Sequence, residues 1–314
     1  MQTAGMVPEA AGVRLEWHQL PEQVKRSVQE TLQDEVVTAT SQPGGFSPGT
    51  ADRITTRRGH RAFVKAVGSA LNPDTPQLHR QEARVLAALP AWVPAPRLLA
   101  SFDDGDWVTL VVEDVAGAQP RLPWQRAELD RVLSTLADLA HLPCPVSDLP
   151  QASDVLAEDF AGWQRLAADP APTLAPWAAK RLPLLDDLAA AGRRALTGTT
   201  LAHTDLRADN ILLPREGRAV LVDWPWACQA PPWLDTLQLL VNVRLHGGHD
   251  VDALLREHTA VTAQDATAVL AGFCGYFLDR ARRPASPGLP TVRAFQQAQG
   301  NAVLDWLRER LQHS

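Results

Sequence analysis

The period of the apolar positions changes along the chain. Leu20, Val24, Val28 and Leu32 recur every four residues behind Pro21, which is one apolar stripe of a helix. Strand signals follow: "EVVTAT", the turn-rich "SQPGGFSPGTAD", "RITT", the turn "RRGH" and "RAFVKAV". Three strands joined by two turns make an antiparallel meander. "TPQLHRQEARVLAAL" returns to helical spacing, with Glu82, Val85 and Leu89 near one face and Thr75 and Pro76 at its start. "PRLLASF", the turn "DDGD" and "WVTLVVEDV" predict another hairpin. Residues 35–115 thus read as five strands with one helix inserted after the third.

Beyond Gly117 helical spacing dominates. "AELDRVLSTLADLAHL" places Leu129, Val132, Leu133, Leu136 and Leu139 on one face. Further helices are expected around 153–168 and 179–196, and from 233 to the end, where "RRPASPGLP" interrupts them. The segments "ILL" and "AVLVD", either side of the turn "PREGR", read as short strands, and residues 1–12 as a loose tail. The expected class is α+β. A β-rich N-terminal lobe at 1–115 holds a helix and a five-stranded antiparallel sheet with one inserted helix. A mainly helical C-terminal lobe occupies 116–314.

Composition narrows the function. A chain of 314 residues, 45% apolar, suits one two-lobed enzyme or two small domains. A net charge of -6 argues against a general nucleic-acid binder and is compatible with a cationic small substrate. Cys144, Cys228 and Cys274 show no CxxC spacing, which suits a reducing compartment with buried or idle thiols. The N-terminus lacks a basic region followed by an apolar one, and the apolar run "ATAVLAGFCGYFL" is too short to cross a bilayer. The expectation is a soluble, cytoplasmic protein with neither membrane nor nucleic-acid partner.

The chemistry concentrates in "TTLAHTDLRADNILLPREGRAVLVDWPWA". Polar groups wedged between apolar runs are costly unless paired or used. His203, Asp205 and Asn210 fit H-x-D-x-x-x-x-N, and Asp223 follows thirteen residues after Asn210 at the end of an apolar strand. Phosphoryl transfer needs such a set. One carboxylate orients and deprotonates the attacking group, while an amide oxygen and a second carboxylate hold Mg²⁺ against nucleotide phosphates. Upstream, alternation puts Phe63 and Lys65 on one strand face, and Glu82, 17 residues later, offers the lysine a counterion. "PGGFSPG", with Gly44, Gly45 and Ser47, lets backbone N–H groups approach phosphate oxygens. Glu113 to Val115 would expose backbone donors and acceptors to a purine.

In this order the motifs resemble the aminoglycoside phosphotransferase family, relatives of the protein kinases, over about 35–240. "LAHTDLRADNILL" followed by "VLVDWPWA" is the specific part. The resemblance implies a protein-kinase-like fold and an ATP- or GTP-dependent small-molecule kinase acting on an aminoglycoside or another hydroxylated metabolite. It implies Asp205 as base and Asn210 with Asp223 as Mg²⁺ ligands. Lys65, paired with Glu82, would hold the α- and β-phosphates. His203 would brace the catalytic loop, and Asp235 in "PWLDTL" would support that loop from a helix. Three departures point away from protein kinases. "GGFSPG" is not G-x-G-x-x-G, Trp-Pro follows the metal aspartate, and there is no A-P-E segment. From about 240 onward no motif transfers.

Each residue also has a plainer reading. Asp205 and Asn210 suit turns and caps, His203 a structural role, Lys65 and Glu82 exposed surface, and the glycine turn a simple hairpin. Arg207 and Asp209 read as solvated residues or local ion partners. Trp224, Trp226 and Trp233 are either core or an aromatic wall for a substrate ring or cation. Asp250, Asp252 and Glu257 are either contacts to a cationic substrate or a helix start and solvated face. Two other function classes stay in view. One is a nucleotide-binding pseudokinase or regulatory module. The other is a metallohydrolase using His203 and Asp205, which would need more histidines at ligand spacing than His246 and His249 provide.

Overall fold

The computed structural model describes residues 7–8, 11–169 and 174–312. Most of the expected N-terminal tail, at 1–6 and 9–10, lies outside the described residues. The N-terminal lobe opens with helix α1 (Glu22–Leu32), followed by strands β1 (Val36–Ser41), β2 (Thr50–Thr56) and β3 (Arg61–Gly68). Helix α2 (Thr75–Ala88) and strands β4 (Leu98–Asp103) and β5 (Trp107–Val112) complete it. The sheet is antiparallel throughout, in the order β1-β2-β3-β5-β4. Its two faces are covered by different helices. Val28 of α1 packs with Ile54, Ala62, Val64 and Val111, whereas Val85 and Leu86 of α2 join Val108, Leu110 and Val112. Strand β5 is apolar on both faces because both are buried. The period of two then sends Lys65 to the α2 side, opposite Ala51 and Leu110.

In the C-terminal lobe, α3 (Arg126–Ala140) buries the five predicted residues. Each such burial contributes roughly 1.5–3 kcal/mol. The stretch expected as helix around 153–168 is instead three short helices, α4 (Ala152–Val155), α5 (Ala157–Phe160) and α6 (Gly162–Ala168). The redirection lets α6 begin at Gly162, where a Cβ would come within 2.3 Å of the Gly275 carbonyl oxygen. Phe160 and Trp163 can then both face the helix that carries Gly275, and the Trp163 indole N–H donates to the Ala271 carbonyl at 2.7 Å. Around 179–196 the chain forms α7 (Pro176–Ala179) and α8 (Leu182–Ala195), with Pro183 in the first turn of α8.

The remaining helices are α9 (Leu234–His246), α10 (Val251–His258), α11 (Ala263–Ala281) and α12 (Val292–Gln312). Besides the expected break after α11, Gly247 and Gly248, with φ of 73° and 96°, end α9 early. Small strands tie the loops between the lobes: β6 (Gly117–Ala118), β7 (Thr200–Ala202), β8 (Ile211–Pro214), β9 (Val220–Leu221) and β10 (Cys228–Ala230). They pair as β6-β8-β9 and β7-β10. Since β9 stops at Leu221, Asp223 lies two residues beyond the strand rather than on it.

Candidate active site

The loop after β7 is held from behind. Both oxygens of Asp235, at the start of α9, accept backbone N–H groups, from His203 at 2.7 Å and Thr204 at 3.0 Å. His203 is fully buried, with its ring edge-on to Trp224 at 4.6 Å. Its Nδ1 accepts the Asp205 N–H at 3.3 Å, so Nε2 carries the proton and donates to the Val222 carbonyl at 2.9 Å. Burial lowers the His203 pKa and keeps the ring neutral. The bonds of His203 in this structure are all to the protein itself. They link the Asp205 loop to the segment leading into Asp223.

Asn210 reaches back, its Nδ2 donating to the Asp205 carbonyl at 2.9 Å and to Asp205 Oδ2 at 3.0 Å. This fixes the amide and leaves its oxygen pointing elsewhere. Burial raises the Asp205 pKa to about 6, against the pull of the Arg207 guanidinium. Asp223 has a φ of 70°, a left-handed conformation that L-residues adopt at a cost. Its Oδ1 lies 2.5 Å from Lys65 Nζ, and Glu82 Oε2 lies 2.5 Å from the same ammonium. Burial works against the charged lysine, but these two carboxylates outweigh it and hold the ammonium protonated. The same ammonium keeps the Asp223 carboxyl low despite its burial. The exposed-surface readings of Lys65 and Glu82 fail, because Glu82 is 3% and Lys65 9% exposed.

These groups open onto a cleft of about 420 Å³, whose walls include Gly44, Gly45, Ser47, Lys65, Glu82, Glu113, Val115 and Asp223. Asp205 and Asn210 are not among the lining residues, although Asp209 is. The glycine turn is bent by Gly44, Gly45 and Gly49, all at positive φ. At Gly49 a Cβ would fall 2.3 Å from the Ala66 carbonyl oxygen. At the far end of the cleft the Val115 carbonyl is already taken, by the Gly117 N–H at 2.9 Å and by Arg53 at 3.1 Å. Among the described residues no group bonds the Val115 N–H or the Glu113 carbonyl. Asp114, between them, is buried and held by Arg53 at 3.1 Å and Arg61 at 2.5 Å.

Two arginines matter more than sequence reasoning suggested. Arg207 is a local ion partner, 2.6 Å from Asp205 and 3.0 Å from Asp209, but it is not solvated. Its guanidinium lies over Phe46 of the glycine turn at 5.3 Å and Phe295 of α12 at 5.9 Å, joining both lobes through the loop. Arg14 lines the cleft and donates to the carbonyls of Gly44 and Ser47. Only the position of Arg207 inside the motif hinted at the first, and nothing local marked the second. The C-terminal acids have partners within the protein: Asp250 caps α10, as a helix start would, Asp252 binds Trp306 and Arg310 rather than lying on a solvated face, and Glu257 lies near Arg126. Trp224 is core, while Trp226 is 45% exposed.

The sequence profile of the phosphotransferase enzyme family matches residues 38–273. The chain belongs to that family. Solved structures place the phosphotransferase among kinase-like folds. An aminoglycoside phosphotransferase, APH(4)-Ia, in a ternary complex with ADP and hygromycin B, is 13% identical with a TM-score of 0.58, covering 92% of this chain and 98% of that one. The choline kinase LicA from Streptococcus pneumoniae is 15% identical with a TM-score of 0.59, covering 90% and 98%. An aminoglycoside phosphotransferase from Alicyclobacillus acidocaldarius is 18% identical with a TM-score of 0.50, covering 94% and 97%. No curated protein matches the chain. No helix among the described residues is long and apolar enough to cross a membrane.

The donor set fits Mg²⁺ in kind. Among the described residues only Lys65 hydrogen-bonds the Asp223 carboxylate, so one oxygen stays open, and the Asn210 amide oxygen is turned from its own bonds. Both are hard oxygen donors. Among the described residues no His, Cys, Asp and Glu side chains gather into a ready-made cage of three or more. Mg²⁺ needs none, since water and phosphate oxygens complete its shell.

Proposed function

We propose that this phosphotransferase moves the γ-phosphoryl group of ATP to a hydroxyl of a small molecule, with GTP as the alternative donor. The observation that carries this is the meeting of Lys65, Glu82 and Asp223 at 2.5 Å contacts beside the Asp205–Asn210 loop. The N-terminal lobe, 1–115, would hold the nucleotide, and 116–314 the acceptor. The unbonded Val115 N–H and Glu113 carbonyl form a donor–acceptor pair that complements the adenine edge. Gly44, Gly45 and Ser47 would cover the phosphates, and the Lys65 ammonium, held by Glu82, would bind the α- and β-phosphates.

Asn210 and Asp223 would hold Mg²⁺, which supplies charge neutralisation at the phosphates when bound. Asp205 orients the acceptor hydroxyl and takes its proton. Each of its oxygens keeps a second lone pair beyond Arg207 and Asn210. The acceptor oxygen bonds to the γ-phosphorus, the bond to the β–γ bridging oxygen breaks, and ADP carries that electron pair away. A carboxylate pKa raised to about 6 suits a base working near neutrality. His203 and Asp235 keep the loop in place without touching substrate. The solved neighbours with ADP, hygromycin B and choline in their names support a nucleotide donor and a small acceptor, and a cytoplasmic location would provide ATP.

Calorimetric titration of ATP and GTP, with and without Mg²⁺, into wild type and Asp223→Asn tests the donor site. Mg²⁺-dependent binding that weakens in the variant is expected. A folded wild type that binds neither nucleotide would end the proposal. A regulatory module without turnover would instead bind nucleotide and be indifferent to Asp205→Asn.

A further inference from the structure

On the C-terminal side of Asp205 the chain builds a cationic wall. Tyr276 and Arg280, at i and i+4 on the last turns of α11, share a face, and Arg283 follows two residues past the helix end at Ala281. The Arg280 guanidinium lies 5.7 Å from the Tyr276 ring centre. Arg293, in the first turn of α12, is close enough to Arg280 and Arg283 for their charges to act on it. The wall adjoins the reacting groups. Arg207, ion-paired with Asp205 at 2.6 Å, lies over Phe295 at 5.9 Å, two residues after Arg293 on α12.

The carboxylates of this region are all taken. Asp279, fully buried, binds Arg165 at 2.7 Å, Arg282 at 2.9 Å and also Arg283. Asp159 holds Arg280 at 3.0 Å, and Asp169 holds Arg282 at 2.5 Å. Among the described residues Arg293 has only neutral partners, the Pro284 carbonyl at 2.9 Å and Gln296 Oε1 at 2.8 Å. A half-buried cation beside two others, with no carboxylate of its own, is unfavourable unless a ligand completes it. An acceptor bearing ammonium groups would meet guanidinium groups here, beside carboxylates, Asp159, Asp169 and Asp279, that are already paired with arginines. A carboxylate or phosphate would meet planar donors suited to bidentate binding.

Building on the kinase function proposed above, we infer that the acceptor is a hydroxylated small anion, carrying a carboxylate or phosphate bound at Arg293 and Arg280, rather than a polycation. The acidic balance of the whole chain does not extend to this wall.

The test is ADP release with MgATP and an equimolar panel. Gluconate, glycerate and glycerol 3-phosphate are the anions, glycerol is neutral, and choline and hygromycin B are cations. Calorimetry of MgATP binding to wild type, Arg293→Glu and the milder Arg293→Gln accompanies it. Turnover with an anion is expected, with carboxylates and phosphate distinguishing the two sources of charge. Arg293→Glu should raise the acceptor KM by roughly tenfold or more, and Arg293→Gln by less, while MgATP affinity stays unchanged. The assignment falls if a cationic or neutral member is preferred. It falls also if Arg293→Glu leaves the acceptor KM unchanged, or if no anion is turned over by an enzyme that binds MgATP. A wild type that binds no MgATP is a different failure, of the kinase function itself, and the acceptor assignment falls with it.

Discussion

The cleft proposed for the nucleotide and the arginine wall are opposite solutions to one electrostatic problem. In the cleft one ammonium, Lys65, serves two carboxylates, the buried Glu82 and the partly exposed Asp223. On the wall one buried carboxylate, Asp279, serves three guanidinium groups. The cleft keeps a surplus of negative charge and the wall a surplus of positive charge. Each surplus is what the incoming ligand would neutralise, Mg²⁺ in the first case and an anionic acceptor in the second. The two regions also differ in construction. Both regions join distant segments, Lys65 to Asp223 in the cleft and Arg165 to Asp279 and Asp159 to Arg280 on the wall. But the cleft's groups sit in a strand, the following helix and one loop with local patterns of their own, whereas the wall's sit on or beside α5, α6, α11 and α12 without one.

The largest expected effect lies where the two regions meet. Asp205→Asn should lower kcat by about 10²–10⁴, leaving MgATP affinity within a few-fold, because the base serves only the transfer step. Turnover within tenfold of wild type would show that Asp205 is not the base. It would also turn the comparison into one between two binding surfaces.

Lys65→Met comes next and probes the cleft's surplus directly. Glu82 would be left buried, and Asp223 beside it, without this cation, which should cost about 3–5 kcal/mol in urea unfolding. Adding Glu82→Gln should recover part of the loss. On the wall, Asp279→Asn should cost less, on the order of 1–3 kcal/mol, because its arginines are partly exposed and water can take over their donors. Equal losses at the two sites would break the contrast between a closed cleft and an open wall.

The same difference in construction decided what the chain discloses from its sequence. The sheet was legible because alternation is local, and Lys65 followed from its register with Phe63. His203, Asp205 and Asn210 lie within eight residues, and Asp235 stands out only beside their motif. The strands β6, β7 and β10 are two or three residues long, too short for alternation to show. The helix expected around 153–168 broke because Gly162 must approach Gly275, a contact no local pattern encodes. Arg207 was read as a solvated residue or a local ion partner, and its reach to Phe46 and Phe295 went unseen because those come from distant segments. The wall was invisible for the same reason, and the net charge of -6 pointed the wrong way for it.

His79 gives a smaller, pH-dependent effect behind the cleft. It is buried on α2, and burial, aided by the Lys65 ammonium, lowers its pKa to about 3. Below about 6.5 the unfolded chain binds a proton there that the folded chain refuses, so stability is full above that pH. It should fall toward pH 3 by at most roughly 1.4 kcal/mol per unit from this group. His79→Leu should flatten the urea midpoint between about pH 7 and 5. An unchanged slope would show that the histidine is not kept neutral by the fold.

Arg14 offers the finest distinction. It is a cation in the negative region, and it donates to the carbonyls of Gly44 and Ser47 while Asp223 and Asp52 act on its charge. If the guanidinium only holds the glycine turn, Arg14→Ala should weaken MgATP and AMP alike. If it turns to the phosphates when nucleotide enters, MgATP should lose about tenfold and AMP much less, since one added cation contact to phosphate is worth about that much. We expect the second outcome. Calorimetry of both nucleotides against wild type, Arg14→Ala and Arg14→Lys decides it. Equal losses for MgATP and AMP would make Arg14 a strap on the turn and leave Lys65 as the cation that reads the phosphates.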